Sequence, residues 1–152
     1  MSTARIRAAR PDEADALTRL CIRSKAHWGY DAAFMALSAP SLAVRPEDIA
    51  RVRVVVDAAD RPLGVARVDP VDNAVADLGL LFVDPPAMGQ GVGRLLFDHA
   101  CEAARALGRR RLTILADPQA APFYERMGAR HVRDAPSDAI PGRMLPLLEI
   151  DV

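Results

Sequence analysis

The segment from Leu78 to Leu96 restricts the fold more than any other part of this chain. An apolar run, Leu78-Gly79-Leu80-Leu81-Phe82-Val83, stops at Asp84-Pro85-Pro86; glycines follow at alternate positions, Gly89, Gly91 and Gly93; Arg94-Leu95-Leu96 then opens a helical pattern. The spacing predicts a strand, a glycine loop and a helix. Such a junction presents backbone N–H groups at the positive end of a helix dipole, which suits a phosphate or pyrophosphate. Glycines keep side chains out of the anion's path. A phosphorylated cofactor is the expectation.

Several cofactor classes use glycine loops, and two are disfavoured by spacing. A dinucleotide loop reads Gly-x-Gly-x-x-Gly near the first strand of a βαβ series, whereas here the third glycine comes one residue early. A nucleoside-triphosphate loop ends in Gly-Lys-Ser/Thr, and the only lysine of the chain is Lys25, far upstream. The segment Met88 to Gly93 instead resembles the phosphate loop of the GNAT family of acyl-CoA N-acyltransferases, Arg/Gln-x-x-Gly-x-Gly/Ala after a strand. A second stretch, Asp117-Pro118-Gln119-Ala120-Ala121-Pro122-Phe123-Tyr124-Glu125-Arg126-Met127-Gly128-Ala129, is similar to that family's later Asn-x-x-Ala-x-x-Phe-Tyr-x-x-x-Gly-Phe. The start of the chain, Ile6 to Leu17, also resembles the family's first strand and helix, so the likeness spans nearly the whole sequence.

The coarse pattern agrees with that order. Short strands are expected at Ile6 to Ala9, Arg51 to Val56, Leu63 to Val68, Val75 to Val83, Arg111 to Leu115, Arg130 to Arg133 and Met144 to Ile150. Helices are expected from about Pro11 to His27, Asp31 to Leu37, Gly91 to Gly108 and Gln119 to Met127, with Ser38-Ala39-Pro40 breaking the second. The fold class is therefore mixed α/β: a mostly antiparallel seven-stranded sheet flanked by helices, in the order β1-α1-α2-β2-β3-β4-α3-β5-α4-β6-β7. At 152 residues the chain suits a single domain.

Composition narrows the partners. Twenty basic residues balance twenty acidic ones, and the single local basic run, Arg109-Arg110-Arg111, reads as a solvated helix end or a contact to cofactor phosphates; no nucleic-acid partner is expected. Nothing approaches the ~20 apolar residues of a membrane span, and there is no apolar signal core, so no membrane partner and a cytoplasmic location are expected. Cys21 and Cys101 lie in helical patterns without redox or metal spacing and read as core thiols; no metal is expected.

The resemblance implies a chemistry. Acetyl-CoA would be the co-substrate, its pantetheine pairing with the strand at Leu81 and Val83, and its pyrophosphate bound by backbone N–H groups of Gln90, Gly91, Val92, Gly93 and Arg94. Asp117 stands where the family has Asn, with a pantetheine contact or an N-cap as its alternatives. Met88 stands where the family has Arg or Gln, leaving Gln90 as a substitute. Tyr124 would sit beside the CoA sulfur, with Phe123 packing next to it. A lysine-like amine must lose a proton, at about 4.6 kcal/mol at pH 7, before it attacks. Asp77, four residues before Leu81 and so expected on the same strand face, is a candidate base or an acceptor-binding carboxylate. His27, Trp28 and Tyr30 line an acceptor pocket or a packing corner, and the Pro136 to Pro141 segment joins the acceptor loop. The reading is direct N-acetyl transfer to a primary amine of a small molecule or peptide, with a longer acyl group or a noncatalytic CoA sensor as alternatives and a homodimer as a further expectation.

Overall fold

Four of the five residues of Val52–Val56 are buried β-branched valines, Arg53 being the exception. A strand apolar on both faces needs cover on both. The computed structural model describes residues 4–152 and supplies that cover from two helical layers. The strands are β1 (Arg5–Ala8), β2 (Val52–Val56), β3 (Pro62–Pro70), β4 (Val75–Val83), β5 (Arg111–Leu115), β6 (Arg130–Pro136) and β7 (Met144–Asp151), in one sheet ordered β1-β2-β3-β4-β5-β7-β6. The helices are α1 (Ala14–Ala26), α2 (Ala32–Leu42), α3 (Val92–Ala106) and α4 (Ala121–Arg126), with short 3₁₀ turns at Pro11–Glu13, Pro46–Arg51 and Pro85–Ala87.

On one face, Leu17, Leu20 and Cys21 of α1 and Leu42 of α2 pack on Val52, Val54, Val56, Val65 and Leu80. On the other, Leu96, Phe97, Ala100 and Ala104 of α3 and Tyr124 of α4 pack on Val55, Ala66, Ala76, Leu78, Leu112 and Ile114. Gly64 lets α3 approach β3: a Cβ there would lie 2.7 Å from Val92 Cγ1 and 2.9 Å from Leu96 Cδ1.

Two features of β4 position the site. Its parallel pairing with β5 covers only Val75↔Arg111, Ala76↔Leu112 and Asp77↔Thr113. Beyond Asp77 the strands part, while β5 stays paired with β7 as far as Leu115↔Leu147. The second feature is a bulge. Arg67 pairs with Leu80 but Val68 pairs with Leu78, so Gly79 is the extra residue. An extra residue inverts the alternation of faces: Ala76 and Leu78 before it, and Leu81 and Val83 after it, all turn toward the α3 layer, whereas Leu80 and Phe82 turn toward α1. The expected shared face of Asp77 and Leu81 is thereby corrected, since Asp77 lies with Leu80 on the α1 side. A glycine inside a strand pattern is the sequence sign of a bulge.

Three local expectations also change. The second helix runs through Pro40 to Leu42 because Pro40 falls in its last turn, where few backbone bonds depend on it, and Ser41 Oγ donates 2.8 Å to the Ser38 carbonyl. Asp117 is not the cap of α4; Ala120 is, and Asp117 Oδ1 instead accepts from the Gln119 N–H at 2.9 Å. Strand β6 extends three residues past Arg133, to Pro136.

Replacing Gly64 by Ala should destabilise the fold by about 1–3 kcal/mol, through clash with Val92 and Leu96. The check is the midpoint of denaturant unfolding, with an unchanged midpoint counting against this packing.

Candidate active site

The glycine loop owes its shape to two positive-φ residues, Gly89 (φ +78) and Gly91 (φ +82), the latter being the N-cap of α3. Neither is crowded, so backbone conformation, not space, calls for glycine there. Gly93 serves a different need: a Cβ there would press on the Phe123 ring at 3.3 Å. The first N–H groups of α3 therefore open toward a cavity of about 840 Å³. Met88, Gly89, Gly91, Val92, Gly93 and Arg94 line its loop end. Gln90 does not, its side chain donating 3.3 Å to the Pro86 carbonyl. The Arg109–Arg111 run lies outside the lining as well.

From the loop the cavity follows β4 inward past Val83 and Leu81, into the gap left where β5 departs, and reaches Asp77. Tyr124 and Phe123 form its α4 wall. Tyr124 packs on Phe97 (ring centroids 5.7 Å apart) and Phe123 (5.1 Å), which fixes the direction of the phenol. Its hydroxyl has no hydrogen-bond partner among the described residues. Burial, reinforced by the nearby charge of Asp117, holds the phenol above its ordinary titration range.

Asp117 is the centre of an ion network that no motif announced. Its Oδ2 accepts 2.7 Å bonds from Lys25 Nζ and Tyr30 Oη, with Arg143 Nη2 at 3.8 Å. Tyr30 stacks on Phe34 at 3.9 Å, and Lys25 and Arg143 both lie over these rings. Burial alone would raise the Asp117 carboxyl, but the bonds from Lys25, Tyr30 and the Gln119 N–H reverse this and hold it below its usual value. The network ties α1 and α2 to the β5 end and to the β6–β7 turn. Only the single lysine, inside a helical pattern, was a visible hint.

Asp77 sits on the opposite, α1-facing side of β4. Thr113 Oγ1 donates to it at 2.7 Å. Burial raises the carboxyl, Thr113 opposes this, the charges of Asp69 and Asp138 add to the rise, and Arg67 opposes them; the net effect is upward. Of the expected acceptor residues, Trp28 lines the cavity, His27 is an exposed C-cap of α1 outside it, and Tyr30 lies behind Lys25 and Asp117. The β6–β7 turn contributes Ser137, Asp138, Ala139, Ile140 and Arg143. Cys21 is pushed up to about 12 by burial, and burial raises Cys101 too, so neither thiol is an available thiolate. Among the described residues no cluster of three or more His, Cys, Asp or Glu is arranged for a metal, and no helix is long and apolar enough to cross a membrane.

Comparison with known proteins follows the same lines. The family model described as acetyltransferase (GNAT) domain matches residues 35–138. No curated protein matches the chain by sequence at a significant level. Among solved structures, PaiA N-acetyltransferase from Thermoplasma acidophilum in complex with coenzyme A superposes with a TM-score of 0.81 at 15% identity, covering 100% of both chains. A GCN5-related N-acetyltransferase from Rhodopseudomonas palustris gives 0.79 at 22% identity, covering 100% of this chain and 98% of that one. Apo-form YjaB from Escherichia coli gives 0.71 at 27% identity, covering 97% and 96%.

Lys25→Met should cost about 3 kcal/mol, because it leaves the Asp117 carboxylate buried without its closest cation. The carboxyl titrates lower folded than unfolded, so its contribution is full above the unfolded value of about 3.8 and is lost as pH falls through the lower folded value. The stability gap between wild type and Asp117→Asn should be widest at neutral pH and close below about pH 4. Thermal unfolding at several pH values reads both effects.

Proposed function

We propose that this chain, which belongs to the GNAT acetyltransferase family, transfers an acetyl group from acetyl-CoA directly to a primary amine of a small-molecule or peptide acceptor. The observation that carries the reading is the continuity of one cavity from the α3 N-terminus, along the β4 edge that β5 leaves open, to Asp77.

In this reading the pyrophosphate lies on the N–H groups of Gly91, Val92, Gly93 and Arg94, and Gln90 contributes backbone alone. The exposed Arg94 side chain adds charge. The pantetheine takes the place of the missing β5 partner along Leu81 and Val83, with Phe123 beside it, in the manner of an added strand. Asp117, held by Lys25 and Tyr30, faces the pantetheine as an acceptor only.

The acceptor enters from the α1 side, past Trp28. Asp77 takes the ammonium proton, directly or through a water. The neutral nitrogen attacks the thioester carbon, the carbonyl oxygen gathers charge against a β4 backbone N–H near Leu81, the C–S bond then breaks with its electron pair on sulfur, and the proton left on nitrogen passes through water to that sulfur, giving the amide and the free thiol. Tyr124 stabilises that sulfur. A thiol titrates near ~8.5 and an ordinary phenol near ~10, and burial raises Tyr124 further, so complete proton transfer to the thiolate is uphill. The phenol therefore acts as a hydrogen-bond donor to the leaving group. The geometry requires no acyl-enzyme, since both cysteines are protonated core thiols.

Gly91→Asp should abolish acetyl-CoA binding measured by calorimetry. Asp tolerates the left-handed backbone better than most residues, so the loss reports the carboxylate set against the pyrophosphate. Wild type that fails to bind acetyl-CoA would sink the proposal. In turnover, kcat/KM should rise with pH through an Asp77 value above the ordinary carboxylate range. Asp77→Asn should remove that acidic limb and lower kcat/KM about 100-fold. A profile unchanged by the substitution would assign the base elsewhere.

A further inference from the structure

The charges around Asp77 do not cancel. Arg67 and Arg51 are shared among Asp48 and Asp69, a neutral set of four: Arg67 lies 2.9 Å from Asp69 and Arg51 lies 2.7 Å from Asp48. Asp77 accepts from the Thr113 hydroxyl and makes no ion pair among the described residues, Arg67 acting on it only through its field. Asp138, on the β6–β7 turn, adds its charge to the field at Asp77, yet its own carboxylate has neither hydrogen bond nor ion pair among the described residues. Both carboxylates line the same cavity. With both ionised, this end carries two carboxylates that make no ion pair among the described residues.

A second observation also points to a ligand here. Among the described residues, Ser24 and Ser38 are buried polar residues, 5% and 3% exposed, and both line the cavity. Neither hydroxyl has a partner among the described residues. Among the described residues the fully enclosed side-chain polar atom without a partner is Arg109 Nε, so the small exposed fractions of Ser24 and Ser38 leave their hydroxyls open to the cavity, space that a donor-rich ligand can fill. Leu42 and Ile140 add apolar lining to the same cavity.

A monoamine does not answer this field. It gives its proton to Asp77 on becoming the nucleophile, and Asp138 then remains uncompensated. We propose that the acceptor is an aliphatic diamine: one amine is delivered to Asp77 for acetylation, while the second stays protonated against Asp138, and the Ser24 and Ser38 hydroxyl oxygens accept hydrogen bonds from the ligand's N–H groups. The inference rests on the acetyl-transfer reading. The reacting nitrogen gives its ammonium proton to Asp77 and forms the amide bond, the C–S electron pair leaves on sulfur, the second proton lost from nitrogen passes through water to that thiolate to give the free thiol, and the distal ammonium is unchanged. Arg45, an exposed cation on the same cavity without a partner among the described residues, is the feature that would favour an amino acid instead.

The test uses three probes of equal chain length, 1,4-diaminobutane, butylamine and 4-aminobutanoate, titrated by calorimetry into the CoA-saturated protein and compared as acceptors in thiol release from acetyl-CoA. The diamine should bind at least about fivefold tighter than butylamine, as expected from one added, partly exposed ion pair, and the advantage should shrink with added salt. Asp138→Asn should bring the ratio close to one while CoA affinity, which checks folding, is retained. Equal binding of diamine and butylamine, an advantage that survives Asp138→Asn, or a preference for 4-aminobutanoate would each overturn the inference and leave acetyl transfer standing. Selective diamine binding without thiol release would support the site and remove the transferase reading.

Discussion

The early end of β4–β5 pairing governs the rest of this structure. Three residue pairs join the strands, and from Leu78 onward β4 has a partner on its β3 side only. An open edge inside a sheet leaves backbone donors and acceptors to be satisfied by something other than protein. The helix that connects the two strands begins at the mouth of the gap, so its N-terminal N–H groups and the open edge face one cavity. A helix start suited to an anion and an open strand edge suited to an extended ligand follow from one topological event.

The bulge at Gly79 decides what each side of β4 sees. It turns Leu81 and Val83 toward the α3 layer and keeps Asp77 on the α1 side, beside Arg67 and Asp69. A carboxylate in that position is shielded from water, which raises its affinity for a proton, and it is reached from the face opposite the aromatic wall of Phe123 and Tyr124. The two faces thereby separate the Asp77 carboxyl from the Tyr124 phenol, with the β4 backbone between them. Asp117 holds the arrangement from outside, joining helix, strand end and turn through Lys25, Tyr30 and Arg143.

Much of this was legible in the chain. The bounds of β4 and β5 followed from apolar runs ended by proline and glycine signals, and the α3 face followed from helical periodicity. Residues that meet through long-range packing were not legible. Lys25 and Asp117 are 92 positions apart and Tyr30 and Arg143 are 113 apart, distances over which no local pattern operates. The faces assigned to Asp77 and Leu81 failed because strict alternation has no allowance for one extra residue, although Gly79 carried the sign. His27 stood near aromatic neighbours in sequence, but the helix end leaves it exposed.

By itself the sequence determined the order of elements, the glycine loop at a helix start, the Phe123-Tyr124 pair and the two-layer core, because each depends on neighbouring residues and on the period of burial. The tertiary structure decided where β4 and β5 part, which face Asp77 occupies, that Asp117 is held by Lys25 and Tyr30, and that Asp138 reaches the same cavity as Asp77. Those depend on strand register and on charges brought together from distant segments, where electrostatic energy is set by distance and burial and not by separation along the chain.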